Sequence, residues 1–325
     1  MAAVKEINNT PFKNNGITIG NKFYTYSTLL QRTLFVALLI GLTIIFFVPF
    51  VWLISASLKV RSEVFNNEWI PDPVAWENYE NVWDAAPVLT WLWNSVVVGF
   101  ISATVVTLSS ASVAWGFSYF RYRGRDFLFA LVLGSMMLPG VVTMIPVFLI
   151  WNKLGLINPE VPDWGATFFE GNFLGREIWR RIGQIPLWGG NLFGSAFYIF
   201  LLRQFYLTLP RELFEAARVD GASYFQIWRM VALPLTRNAL IVVFIFEFKA
   251  SWVDLLKPLI YLRRTELYTM PLGLKSLLDQ FGNGGEMQWE IVLAASVIVT
   301  LPMVIIFFIG QRYFMEGIAT TGLKG

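Results

Sequence analysis

Neither cysteine nor histidine occurs among the 325 residues. That excludes thiol and imidazole catalysis, structural disulfides and Cys/His metal sites, and no metal is expected on this chain. Charge is scarce as well: Asp, Glu, Lys and Arg make up 14% of the residues, against about 25% in ordinary soluble domains. A soluble domain of this length needs more charge than that to cover its surface. The net charge of +3 is too small to mark a nucleic-acid surface. No Gly-x-x-x-x-Gly-Lys-Ser/Thr sequence occurs, so the chain has no P-loop with which to hold ATP phosphates. A short apolar run close to Met1, the mark of a cleaved signal, is also missing; the first such run begins near Leu34, behind an Asn-rich polar stretch.

What is present is apolar length. Hydrophobic residues make up 56% of the chain, and they fall in long runs. A helix needs about 20 apolar residues to cross the hydrocarbon. Six segments meet that length, near Leu34 to Leu58, Asn94 to Phe120, Phe127 to Trp151, Leu187 to Tyr206, Asn238 to Leu262 and Trp289 to Phe314. The chain therefore divides into a polar N-terminal tail (1–33), a six-helix membrane domain (34–314) and a C-terminal tail (315–325). Pro139-Gly140 is expected to bend the third span, because proline removes a backbone donor. Gly190 with Gly194, and the Ser109 to Ala114 run, are read as small-residue packing surfaces. Trp91, Trp93, Trp151, Trp188 and Trp289 lie near span ends, as interfacial anchors do.

Lys and Arg set the orientation. Both termini are expected on the cytoplasmic side, chiefly because of the Arg121-Tyr122-Arg123-Gly124-Arg125 turn and of Arg203 and Arg312 at helix ends. Three external segments then follow, at about 59–93, 152–186 and 263–288. They form either a docking or gating surface or short caps over the bundle.

The stretch between spans four and five, about 207–237, is longer than a connector requires. Pro210 suits a first helical turn, and Glu212 and Glu215 favour the positive helix N-terminus. Asp220-Gly221 supplies a turn. Ser223 restarts a helix, with Gln226 three residues on in a capping-box pattern. Tyr224, Ile227, Trp228 and Val231 form one apolar stripe, and Pro234 is expected to end the second helix. This is a two-helix elbow, either lying on the membrane or fitting a partner's groove.

Glu215-Ala216-Ala217-Arg218-Val219-Asp220-Gly221-Ala222, followed by Leu233-Pro234, resembles the EAA motif of ABC importer permeases. Further matches run in order along the chain: Ser57-Leu58-Lys59, Asn78-Tyr79, Asn94-Ser95, Leu154 to Asn158, Ile199 to Phe205, Tyr268 to Leu274 and the C-terminal tail. Together they resemble the carbohydrate-uptake branch and, within it, the smaller six-helix subunit of the maltose type. The resemblance implies an all-α integral membrane protein of the type I importer architecture. It also implies a non-catalytic subunit of the prokaryotic cytoplasmic membrane with both termini inside. It implies four partners: a second permease in a heterodimer, two copies of a P-loop ATPase, an extracytoplasmic solute-binding protein and the lipid bilayer. No nucleic acid is implied. ATP and Mg²⁺ would sit on the ATPases, with no cofactor on this chain. The elbow would be the coupling helix, with Glu215, Ala216, Ala217, Asp220, Gly221, Ala222, Tyr224, Ile227, Trp228 and Pro234 engaging the ATPase, and Gly322, Leu323, Lys324 and Gly325 reaching toward it as well. The solute would be a sugar or oligosaccharide.

Three places depart from the family pattern. Arg237 stands where the motif usually has a second proline, which alters the approach into helix five. Trp252-Val253-Asp254 replaces Trp-Asn-Asp/Glu and so lacks a polar side chain. The segment near 165–186 reads as an insertion. Charges within a span also call for a role. Glu247 and Lys249 point to different sides of helix five, and Asp254 and Lys257 are spaced to pair. With Trp252 they are read as pathway or subunit-interface residues, with a proton relay as the other reading. An ion-gradient-driven secondary transporter is the alternative for the whole chain, but it requires repeated halves and leaves the elbow unexplained. A membrane enzyme would require clustered carboxylates at membrane depth, which are absent.

Overall fold

The computed structural model describes residues 16–19, 22–157, 173–282 and 287–322. Most of the N-terminal tail, the first part of the 165–186 insertion, Asn283 to Gly285, and Leu323, Lys324 and Gly325 lie outside them. The described chain is helical apart from one short hairpin, β1 (Gly16–Ile19) paired antiparallel with β2 (Lys22–Thr25).

Fourteen α-helices follow among the described residues, besides short 3₁₀ and π turns: α1 (Tyr26–Ser57), α2 (Glu77–Ala85), α3 (Val88–Tyr119), α4 (Arg125–Ser135), α5 (Gly140–Lys153), α6 (Phe173–Gly183), α7 (Ile185–Trp188), α8 (Ala196–Leu207), α9 (Arg211–Val219), α10 (Tyr224–Leu235), α11 (Arg237–Val253), α12 (Leu256–Tyr261), α13 (Met270–Leu277) and α14 (Trp289–Gly322). Among the described residues, three helices are long and apolar enough to cross a membrane alone: α1, α3 and the Trp289–Gln311 part of α14. Three bent pairs raise the number to as many as six.

Each bend has a local cause. Pro139 lies in extended backbone between α4 and α5, and the two helices meet at 97°, as the Pro-Gly pair predicts. Gly194 adopts φ +77° between the 3₁₀ turn Gly189–Phe193 and α8, giving a 40° break. Of the expected small-residue pair, Gly194 is the break itself and lies close against α3, with Ser110 Oγ 3.3 Å from where a Cβ would stand, whereas Gly190 has open space there. A 78° bend at Thr236 separates α10 from α11. Helix five also ends earlier than its apolar run suggests. Asp254 leaves the helix, and its Oδ1 accepts the Lys257 N–H at 3.2 Å, which starts α12. A carboxylate that bonds nearby backbone competes with helix continuation. At the C-terminus α14 runs on to Gly322, so the expected tail from 315 is helical that far.

α3 is the central element. Ser95, Gly99, Ser102, Ala103, Val106, Ser110, Ala111 and Ala114 are buried along it at helical spacing, and it packs chiefly against α8 and α11. Small side chains permit that approach: a Cβ on Gly99 would lie 3.1 Å from the Phe248 ring. α1 contrasts with it. Its apolar window is unburied, and its main helical neighbour is α14. In water such a helix would be untenable; in lipid it is an ordinary outer span.

Candidate coupling elbow and polar contacts between spans

The elbow is α9 and α10 joined by four residues. Gly221, at φ +84°, takes the left-handed position of a Schellman turn: Ala222 N–H donates to Ala217 O at 2.9 Å and Gly221 N–H to Arg218 O at 3.1 Å. Ser223 then caps α10. Gln226 N–H donates to Ser223 Oγ at 3.3 Å, and Ser223 N–H to Gln226 Oε1 at 2.7 Å. This is the capping box that the spacing predicts. Arg218 ties the corner together, donating to Ala222 O at 3.0 Å and lying 4.3 Å over the Tyr224 ring.

One face of the elbow is sunk into the membrane helices. Phe214 and Ile227 are buried. Phe214 meets Trp115 edge-on at 5.1 Å, and Trp115 stacks on Tyr119 at 4.5 Å. The other face is open. Glu215, Ala216, Asp220, Gly221 and Tyr224 are exposed, and Ala217, Ala222 and Trp228 are partly so. Ile227 is thus an anchor, not part of the outer surface. Val219, Phe225 and Met230 are 87%, 63% and 71% exposed. Sequence reasoning missed these three, because the helical stripe marks only the side that faces the protein. Pro234 does not end α10 either. A π-turn over Trp228–Ala232 accommodates its missing N–H, and the helix runs to Leu235. Pro234 itself is exposed.

A second group joins three spans near the break in the fourth. Glu247 Oε1 accepts from Ser102 Oγ at 2.9 Å and from Asn191 Nδ2 at 2.7 Å. Asn191 Nδ2 also donates to Ser102 Oγ at 2.6 Å. Ser109 Oγ donates to Asn191 O at 2.8 Å, and Ser195 N–H donates to Ser110 Oγ at 3.1 Å. The serines of α3 therefore satisfy the backbone freed at Gly194. A cavity of about 110 Å³ opens beside Glu247 and reaches the Asp254–Lys257 pair, 3.6 Å apart. Lys249 faces away and is exposed; Trp252 is buried against Ala103 and Phe248. Trp252 is thus packing inside this chain, and its indole N–H has no partner among the described residues.

At the opposite end from the elbow, the sequence landmarks meet one another. Asn78 Nδ2 donates to Ser57 O and Lys59 O, each at 2.9 Å. Asn94 Nδ2 donates to Glu266 O and Tyr268 O, and Met270 N–H donates to Ser95 Oγ at 2.7 Å. Trp91 is buried there, donating to Thr265 O at 2.8 Å, so it is a core residue instead of an interfacial anchor. The described part of the insertion, α6, docks on this end. Arg181 donates to Glu177 Oε2 at 2.9 Å, Gln184 Oε1 at 2.7 Å and Asn94 Oδ1 at 3.3 Å. Burial lowers the Arg181 pKa from its ordinary value, against the opposing pull of Glu177.

No family model matches the chain. It is 30% identical over 289 residues to the arabinooligosaccharides transport system permease protein AraQ of Bacillus subtilis (strain 168), covering 87% of this chain and 92% of that one. It is 31% identical over 292 residues to the sn-glycerol-3-phosphate transport system permease protein UgpE of Yersinia enterocolitica, covering 87% and 94%. Its fold matches a chain of a crystal structure of a bacterial ABC transporter involved in the import of the acidic polysaccharide alginate. The TM-score is 0.73 at 22% identity, over 90% of this chain and 99% of that one.

Proposed function

This chain belongs to the ABC transporter permeases of sugar uptake systems, and from that premise we propose that it forms half of the path for a sugar or oligosaccharide and is driven through its elbow. It is a multi-pass membrane protein and a transport component, not a catalytic subunit. In this reading six spans cross the cytoplasmic membrane, with both termini and the elbow inside. A second, different permease completes the cavity, two copies of a P-loop ATPase hold ATP and Mg²⁺, and an external binding protein delivers the solute.

The observation that carries the proposal is the two-sided elbow: Phe214 and Ile227 buried in the spans, with Glu215, Asp220, Val219 and Phe225 outward. An outer face of mixed charge with exposed apolar side chains on a rigidly capped corner suits a groove on another protein, and its buried side would turn a push on that face into a push on α3. Glu247, Asp254 and Lys257 are the groups of this chain that would line the aqueous path, and Lys249 would meet the second permease. Gly322 to Gly325 would reach the ATPase pair.

The test is a mild-detergent pull-down of tagged chain from its native membrane, with Gly221→Asp alongside. Recovery of a P-loop ATPase and a second permease, with the ATPase lost or uncoupled in the variant, is the expected result. Recovery of the chain alone or as a homo-oligomer would overturn the assembly and favour ion-gradient transport.

A further inference from the structure

Three span ends and the start of the elbow meet around a cavity of about 510 Å³ lined by Arg121, Arg125, Arg203 and Arg211 with one carboxylate, Asp126. Its size falls within the range of about 300–1,000 Å³ typical of small-molecule sites. The charges are nearly uncompensated. Asp126 pairs with Arg125 at 2.9 Å but is 80% exposed, so it screens little of the cluster. Arg203 lies 4.2 Å over the Phe129 ring and its Nε reaches Phe117 O at 3.5 Å. Arg121 and Arg211 have no ion-pair partner among the described residues. Guanidinium groups repel one another unless an anion lies between them, and their planar fork fits phosphate oxygens.

We propose that this pocket binds the phosphate headgroup of an anionic phospholipid. The surroundings favour a lipid over a free anion. Phe127 and Leu207 line the cavity and are exposed, and Leu128 and Leu131 continue an exposed apolar face along α4. An acyl chain has a surface to follow, and a headgroup at the end of three spans sits at interfacial depth whichever way the protein is oriented. Arg121 and Arg211 also line the adjoining cavity of about 430 Å³ beneath the elbow, with Phe214 and Tyr224. A lipid held here therefore braces the elbow against the spans.

The full-length chain, purified in mild detergent with whatever subunits stay bound, is examined by native mass spectrometry for retained cardiolipin or phosphatidylglycerol. It is then stripped of lipid and exposed to phosphatidylcholine vesicles with or without cardiolipin, or to inorganic phosphate alone. The wild type retains anionic lipid. Arg121→Gln weakens retention roughly fivefold, and Arg121→Gln with Arg203→Gln roughly 25-fold. Arg121 is exposed and unpaired, so its variant folds. Arg123→Gln, on the same turn but outside the cavity lining, leaves retention unchanged. Three results would each overturn the proposal: equal loss in Arg123→Gln, displacement of the lipid by inorganic phosphate, or exclusion of lipid by a bound ATPase. The readout needs no transport, so its failure is separable from a failure of the importer reading.

Discussion

Removing the Glu247 side chain tests whether the contact between spans two, four and five is structural, functional or both. Two donors, Ser102 Oγ and Asn191 Nδ2, converge on Oε1 at 2.9 and 2.7 Å. Hydrogen bonds to a charged group contribute about 1.5–3 kcal/mol each. Glu247→Ala removes both, but Asn191 retains Ser102 Oγ at 2.6 Å, which argues for the lower end, about 3 kcal/mol in total. Glu247→Gln keeps one acceptor oxygen for the two donors but exchanges the other for an NH2 and loses the charge, at about 1 kcal/mol. A shift of about 2–4 °C per kcal/mol then gives roughly 6–12 °C for Ala and a few degrees for Gln, read as tryptophan fluorescence on heating in detergent. In a double-mutant cycle with Asn191→Ala, the two sites couple by about 1–2 kcal/mol. Uptake separates the roles: Glu247→Gln loses transport while assembly and ATP hydrolysis persist if the carboxylate serves the path. A melting temperature for Glu247→Ala within a degree of wild type would refute the argument that this carboxylate joins the spans.

Three other changes have equally definite outcomes. A Cβ on Gly273 would lie 2.1 Å from Trp91 Cε3, and that buried indole is fixed by its bond to Thr265 O. Gly273→Ala therefore costs at least about 1–3 kcal/mol, with partial recovery of the melting temperature when Trp91→Phe is added. Arg181→Met releases α6 from Asn94 and Gln184 at a cost of about 2 kcal/mol, and hydrogen exchange over 173–188 rises; Arg181→Lys does not restore protection, since one ammonium cannot replace the fork. Ser223→Ala opens the α10 cap for about 1 kcal/mol, seen as faster exchange at the Gln226 amide with the spans unaffected.

The corner of the elbow was legible in the sequence, because its geometry rests on local rules: Gly221 for a left-handed backbone, Ser223 and Gln226 for a reciprocal cap. The bend at Pro139-Gly140 was legible for the same reason. Three features were not. Helix five ends at Val253 because the Asp254 carboxylate turns back to the Lys257 amide, a competition that hydropathy does not register. The fourth span breaks at Gly194, which reads equally well as a packing glycine until Ser110 and Asn191 are seen to satisfy the freed backbone. Trp91 reads as an interfacial tryptophan by its place near a span end, yet it is buried against Gly273, 182 residues away in sequence. In each case the deciding partner is remote or is a side chain acting on backbone, and apolar run length carries neither.

α3 joins the elbow to the far end of the protein. Its 32 residues extend about 48 Å at 1.5 Å per residue. At one end Trp115 and Tyr119 hold Phe214 and Tyr224 of the elbow. In the middle Ser102, Ser109 and Ser110 hold Glu247 and the broken fourth span. At the other end Trp91, Asn94 and Ser95 hold the backbone from Thr265 to Met270. No break interrupts α3, whereas the spans packed beside it are broken at Gly194 and Asp254. An unbroken helix between broken neighbours is the stiffer element, so a displacement of α3 would strain its neighbours at their breaks. On the proposed reading, α3 would carry motion of the elbow to the 265–270 loop, and the spans beside it would reshape at Gly194 and Asp254.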